Sequence, residues 1–369
     1  MSRFRILVIT VVAGVVLVGC AGGTAAVPPS TPLRPAGCTA PTSTDLTTPD
    51  GWLGRIAIRP DTVGLVVDDG RGHVVSHAPD TPLPLASAVK VVHLTAYAAA
   101  VADGRVRADG RVTRADWERW YVPGTDGNAH PSALQRLGPG PDYTVGQLVT
   151  AMIRESDNAA ADWVRARLGD DALRAAAAST GWTDVELPGF AGAAARLAMP
   201  DLVPAGASHA QVVDLDGPLG RRVADDPAFR DEVARRIAAA AQQDPARFVA
   251  DARAWSATTA LGTPAQLLGV HRAIATGAVP GADLAARELT WQGPTPGVGT
   301  VGFKSGSFVD VLTFGGFLRR NDGSLGYAVV LGRDLPATPP VGEQVAGQQG
   351  LALNALVSSR WLDRLLCVA

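Results

Sequence analysis

Ser87-Ala88-Val89-Lys90 follows Pro82-Leu83-Pro84 and leads into the Ala/Val/Leu-rich run Val91 to Ala102. The reading of the whole chain turns on this stretch. It has no interior Gly or Pro, so it predicts a buried helix over 87–102. Residues three apart on a helix are neighbours, which puts Ser87 and Lys90 on one face. A serine at a helix start meets exposed N–H groups and the positive helix end, both favourable to developing negative charge. An unactivated hydroxyl is a poor nucleophile and needs a base beside it. Lysine can be that base when neutral, whereas arginine stays protonated. The 369 residues contain 33 Lys and Arg, of which only Lys90 and Lys304 are lysines.

Outward from this stretch, Thr62 to Val66 and His73 to His77 read as two short strands around the turn Asp68-Asp69-Gly70-Arg71-Gly72. Helical patterns follow at 143–168, 170–179, 226–254 and 263–276, the last opened by Pro264. Strand signals return at 299–304, 309–318 and 325–331, with Arg320-Asn321-Asp322-Gly323 as the hairpin turn. A final helix is expected over about 344–366. Strands at both ends and helices between them predict an α+β fold. One sheet is built from both chain ends and covered by terminal helices, beside an all-helical lobe, and a cleft between the lobes is where a site is expected.

Two further triplets carry chemistry. Ser156-Asp157-Asn158 lies at a helical junction, where a hydroxyl can relay a proton and an amide can hold a substrate amide. Asp and Asn also cap helices, so the triplet alone is weak. Lys304-Ser305-Gly306 ends a predicted strand, where a cation and a hydroxyl can hold a carboxylate and Gly lets substrate lie close. A second cation near Lys90, and burial, would both lower its pKa.

Taken together and in this order, the three motifs resemble those of the penicillin-recognising serine enzymes, specifically the class A β-lactamase-like branch. Tyr143-Thr144-Val145-Gly146-Gln147-Leu148 leading into Glu155-Ser156-Asp157-Asn158-Ala159-Ala160 looks like that branch. The resemblance covers about residues 50 to 366. It implies a β-lactamase/transpeptidase-like α/β fold with an antiparallel sheet. It also implies that Ser87 is acylated, that Lys90 is its base or part of its proton network, and that Ser156 passes the proton to the departing nitrogen. Asn158 would bind the acyl amide, and Lys304, Ser305 and Gly306 the carboxylate end of the substrate. The backbone N–H groups of Ser87 and Ser307 would form the oxyanion hole.

The chain departs from that branch in two ways. Class A enzymes activate the deacylating water with a glutamate in a Glu-x-x-Leu-Asn loop, and no such pattern follows the Ser-Asp-Asn helix here. Glu186 is the nearest acid and Asp201 a weaker candidate; Glu186 reads more simply as a solvent-facing strand residue. The segment of about 199–255 has no counterpart and is expected to be an insertion. His73 and His77 do not have helical metal spacing, His93 reads as a packed histidine, and Trp117, Trp120 and Tyr121 as cleft wall or core. No metal or cofactor is expected.

At the N-terminus, Arg3 and Arg5 precede an apolar run from Ile6 to Val18 that ends in Leu17-Val18-Gly19-Cys20. The run is too short to span a bilayer and suits a signal segment, and its end resembles a lipobox. The expected organisation is a signal at 1–19, lipid on Cys20, a flexible tether over 20–50 and a catalytic domain over 51–369. The mature protein would then be lipid-anchored on the extracytoplasmic face of the membrane. In an oxidising compartment Cys38 and Cys367 are expected to pair, the alternative being two separate thiols. A net charge of −2 without a basic cluster argues against a nucleic-acid partner. The expected function is a monomeric serine acyl hydrolase acting on β-lactams or peptidoglycan-related amides. The alternatives are a slow-deacylating penicillin-binding or D,D-peptidase-like protein, and a non-catalytic envelope binding protein of the same fold.

Overall fold

The computed structural model describes residues 38–369, residue 40 excepted. The expected signal segment, the expected lipidation site at Cys20 and the expected tether as far as residue 37 lie outside the described residues. Residues 41–50, assigned to the tether by composition, pack onto the domain instead. Leu46 is buried and its carbonyl accepts a hydrogen bond from Trp52 Nε1 at 3.0 Å. A side chain at Gly51 or Gly54 would collide with the backbone of Asp45 or Ser43, so these glycines let the incoming chain lie against helix α1 (Pro49–Ile58). Cys38 is joined to Cys367 by a disulfide, which ties this segment to the chain end.

The sheet draws on both ends of the sequence. Its strands are β1 (Val63–Asp68), β2 (Val74–His77), β3 (Pro294–Thr295), β4 (Gly299–Ser307), β5 (Leu312–Arg319) and β6 (Leu325–Gly332). They lie in the order β2-β1-β6-β5-β4-β3, and every pairing is antiparallel. Side chains alternate between two cores, as the pleat requires. Val66, Val329 and Leu331 enter the core shared with the helical lobe, while Leu65, Val67, Ala328 and Val330 enter the core under the terminal helices. α1 and the C-terminal pair Val341–Val357 and Ser359–Leu366 cover that second face.

The helices between the strands include α2 (Lys90–Ala102), α3 (Val145–Arg154), α4 (Asn158–Leu168) and α5 (Asp170–Ala178). Beyond them come α6 (Phe190–Ala198), α7 (Asp216–Asp225), α8 (Pro227–Gln243), α9 (Pro245–Ser256) and α10 (Pro264–Thr276). α10 starts on a capping box between Thr263 and Gln266 and packs on β5 and β6. Helices α6, α7 and α8 share a small core of their own, including Ala195, Val223, Phe229 and Val233. Most of the segment expected to be an insertion is therefore folded helix, forming with α6 a helical annex.

Several expected boundaries move. The single helix expected over 226–254 is two, because Pro245 cannot continue α8 and Asp244 caps α9 through Arg247 N at 2.9 Å. The C-terminal helix starts at Val341 and breaks at Ser358. β5 begins at Leu312, because Phe308 N bonds Val311 O at 2.9 Å and closes a turn where strand was expected.

Candidate active site

Ser87 does not open an α-helix. It lies in a 3₁₀ turn, Ala86–Val89, ahead of α2. Leu83–Pro84 pairs with Leu261–Gly262, and Leu85 N bonds Ala260 O at 3.1 Å, so the chain arrives extended and must turn sharply. Ala86 takes that turn with φ of +46°, a conformation costly for a side-chain-bearing residue. In a 3₁₀ turn residues three apart eclipse one another. Ser87 and Lys90 thereby come into register, with Lys90 Nζ 3.1 Å from Ser87 Oγ.

The second triplet arrives from the end of α3. Ser156 has φ of +70°, which turns both its carbonyl and its hydroxyl toward Lys90. Lys90 Nζ donates to the Ser156 carbonyl, to Asn158 Oδ1 at 2.6 Å and to Ser156 Oγ at 3.3 Å. Asp157 caps α4 through Ala160 N at 3.1 Å, and its other oxygen meets His130 Nδ1 at 2.8 Å. His130 is packed between Trp117, edge-on at 4.7 Å, and Tyr121, stacked at 4.4 Å. Trp117 and Tyr121 thus support the triplet from behind; Trp117 and Trp120 are buried core, and none of the three aromatics lines the cleft.

The third triplet lies inside β4 rather than at a strand end, because the β4–β5 ladder continues through Gly306–Thr313 and Ser307–Leu312. β3 pairs only with the start of β4, so beyond Thr300 the outer edge of β4 is free to face the site. A side chain at Gly306 would meet Ser87 N at 2.3 Å. Glycine is what allows this edge to lie against the Ser87 turn. Thr313 fastens the two together, its hydroxyl donating to Leu85 O at 3.0 Å and Gly306 O at 3.2 Å. Lys304 Nζ reaches Ser156 Oγ at 3.0 Å and Ser305 O at 2.7 Å. An unbroken line therefore runs Ser87, Lys90, Ser156, Lys304.

Both lysines are buried. Burial pushes the Lys90 amine down to about 7, against the opposing pull of Asp157, Asp126 and Asp162. Burial, and then Lys90 itself, hold Lys304 well below the usual lysine range. A neutral Lys90 can accept the Ser87 proton, and Ser156 lies between the two amines where a proton can pass.

The side chain facing Lys90 from the segment after α4 and α5 is aromatic. The Phe190 ring centroid lies 4.3 Å from Lys90 Nζ. Buried Asp162 holds this segment in place, accepting from Phe190 N at 2.9 Å and Ala191 N at 2.7 Å. Arg165 adds a bond to Leu187 O at 2.9 Å. Glu186 is not on a strand and does not line the cleft. Its carboxylate accepts from Leu261 N at 2.7 Å and meets His209 at 3.0 Å, fixing the loop from outside. Asp201 is exposed in a 3₁₀ turn. His93 is fully buried against Phe190 and held neutral by burial, near 3. His73 bonds Asp69 and His77 bonds the Pro60 carbonyl, so the two do not converge.

Of the acids that line the cavity, Glu155 is held bidentately by Arg136 at 2.7 and 2.8 Å, and Asp216 is paired with Arg196 at 2.6 Å. Asp126, in the loop Gly124–Gly127, has a buried Oδ1 without a protein partner, and burial raises its pKa. Phe190, Asp126 and Thr313 were not singled out by sequence reasoning. Phe190 and Thr313 have ordinary sequence surroundings, whereas the Gly-rich setting of Asp126 was a signal for a cleft loop.

Residues 55–212 match the model of a family described as the beta-lactamase enzyme family. No curated protein matches the sequence. Among solved structures, a β-lactamase from Sphaerobacter thermophilus is 19% identical, with 82% of this chain and 94% of that chain covered and a TM-score of 0.53. One from Chitinophaga pinensis is 15% identical, with 84% and 97% covered and a TM-score of 0.52. The class A β-lactamase of the last common ancestor of Gram-negative bacteria is 17% identical, with 87% and 97% covered and a TM-score of 0.51. The fold is β-lactamase-like. Residues 55–212, which carry Ser87, Lys90, Ser156 and Asn158, are similar to the beta-lactamase enzyme family.

Proposed function

We propose that the protein forms an acyl-enzyme at Ser87 with β-lactams or related cell-wall amides, and that it releases the acyl group slowly. Ser87 Oγ attacks the carbonyl carbon while neutral Lys90 takes its proton. Ser156 delivers a proton to the departing nitrogen, resupplied along the line to Lys304. The N–H groups of Ser87 and Ser307 stabilise the oxyanion, a contribution worth about 10²–10³ in rate for one comparable donor. Asn158 holds the acyl amide, and Lys304 and Ser305 hold a carboxylate. The observation that carries the slow release is Phe190, an apolar ring where hydrolysis of the acyl-enzyme needs a group that activates water. Such a protein behaves as a penicillin-binding protein. We place it at the extracytoplasmic face of the membrane, on a lipid carried by Cys20, which is supported by the apolar run and the lipobox-like Leu17–Cys20.

The test is an intact-mass time course with excess β-lactam, run beside Ser87→Ala. The expected result is a stoichiometric adduct that needs Ser87 and persists over many minutes. An adduct that clears while drug is consumed overturns the slow release. An adduct that survives Ser87→Ala overturns the mechanism.

A further inference from the structure

The helical annex forms part of the active-site wall. The cavity that holds Ser87, Asn158 and Ser305–Ser307 has a volume of about 590 Å³ and continues past the end of β4 to Ile237, Phe248, Ala252 and Trp255. Those four residues come from α8 and α9, within or beside the segment that has no counterpart in the resemblance. Leu197 of α6 lines the same end. Trp255 is fixed rather than loose: its indole N–H donates to Ala193 O at 2.9 Å, and its ring meets Phe308 edge-on at 4.9 Å. Among the described residues, the one charged side chain lining this end is Asp216, already paired with Arg196 in a fully buried contact.

Direction along β4 decides what enters. The strand advances about 3.3 Å per residue, so Ser307 lies about 10 Å beyond Lys304. A substrate with its carboxylate at Lys304 and Ser305 and its carbonyl at Ser87 extends its acyl substituent past Ser307. That substituent meets Trp255, Phe248 and Ile237. We propose that this end of the cavity is an acyl-group subsite, built by the annex, for an aromatic or bulky branched apolar substituent. The assignment rests on the Ser87 acyl-enzyme reading for the orientation of the substrate. A cavity of this size, mostly apolar with a few convergent polar groups, is the usual form of a small-molecule site.

The test uses penicillins that differ only in the 6-acyl group, acetyl against phenylacetyl, with the intact protein. Equilibrium binding to Ser87→Ala is measured by calorimetry, and acylation of the wild type by intact mass. Burying a phenyl group predicts at least about 10-fold tighter binding of the phenylacetyl compound to Ser87→Ala. Adding Phe248→Asp, or Leu197→Trp to fill the space, should collapse that ratio toward one. A folding defect would weaken both probes and leave the ratio standing, so the ratio is the readout. Equal affinity of the two probes, or a ratio untouched by both variants, overturns the subsite even when Ser87 is acylated. A graded series in Ser87→Ala, with no adduct on the wild type, supports the subsite and overturns the acyl-enzyme reading instead.

Discussion

Replacing Phe190 with alanine should move the pH profile of Ser87 acylation upward. Lys90 lies at about 7 rather than 10.5 because it is buried, a gap worth about 5 kcal/mol. Asp157, Asp126 and Asp162 all pull the other way, so loss of hydration outweighs three carboxylates. The Phe190 ring has two opposed effects. Its face attracts the ammonium by about 1–2 kcal/mol, and its bulk keeps water from the amine. Alanine removes both; readmitted water is expected to outweigh the lost attraction, so the amine should regain protons. A rise to about 8 would cut the neutral fraction near pH 7 from about one half to about one tenth, a roughly fivefold slower acylation. The base works when deprotonated, so the rate climbs with pH through the Lys90 pKa and then levels. The variant should therefore reach a plateau like that of the wild type, but at higher pH. Stopped-flow acylation with a chromogenic β-lactam between about pH 5 and pH 9 reads this directly. A wild-type profile that is flat across that range refutes Lys90 as the base. A midpoint that stays put, or moves down, in Phe190→Ala refutes the claim that this ring keeps the amine dry.

Three further outcomes are expected. Phe190→Glu should place a carboxylate beside Lys90 and speed loss of the adduct at least about 10-fold by intact mass, short of the roughly 10²–10⁴ of an optimally positioned base; an adduct as long-lived as in the wild type counts against Phe190 as the block. Asp162→Asn should lower stability by about 1–3 kcal/mol in urea unfolding, because one carboxylate accepts from both Phe190 N and Ala191 N while an amide presents an N–H₂ to one of them. No change in the unfolding midpoint would mean that those bonds do not hold the segment. Loss of the Cys38–Cys367 bridge in Cys38→Ser should cost about 2–4 kcal/mol, the range typical of disulfides. A melting temperature equal to that of the reduced wild type, and well below that of the oxidised protein, is the expected pattern.

The sheet was legible because its strands carry local signals. Turn glycines and alternating apolar residues marked β1, β2, β5 and β6, and the separation of these pairs in sequence implied a sheet made from both ends. Lys90, Lys304 and Asn158 were legible because lysine and asparagine are scarce here, and Ser87 and Ser156 because their spacing from these residues has a chemical meaning. What sequence could not give was the packing that sets local backbone form. The 3₁₀ turn at Ser87 depends on a two-residue strand pairing with Leu261–Gly262, about 175 residues away in the chain. Residues 41–50 looked like tether because their composition is poor in apolar groups, yet one buried leucine and two glycines on the facing helix are enough to dock them. Phe190 is invisible in a search for acids, since what matters about it is the kind of side chain that stands there.

That substitution of character links the two halves of the proposed reaction. Acylation needs a neutral amine beside Ser87, and burial favours it: Lys90 is buried, with the Phe190 ring 4.3 Å from its amine. Hydrolysis of the acyl-enzyme needs a water and a base at the same face, which the ring excludes. The annex beyond Phe190 then has a consistent role. α6 begins at Phe190 itself, its start is held by Asp162, and its far side packs with α7 and α8. The helices that wall the apolar end of the cavity are thus continuous with the residue whose ring lies against Lys90. On the proposed reading, such an enzyme gives up turnover for a retained acyl group, and the annex selects which acyl group it retains.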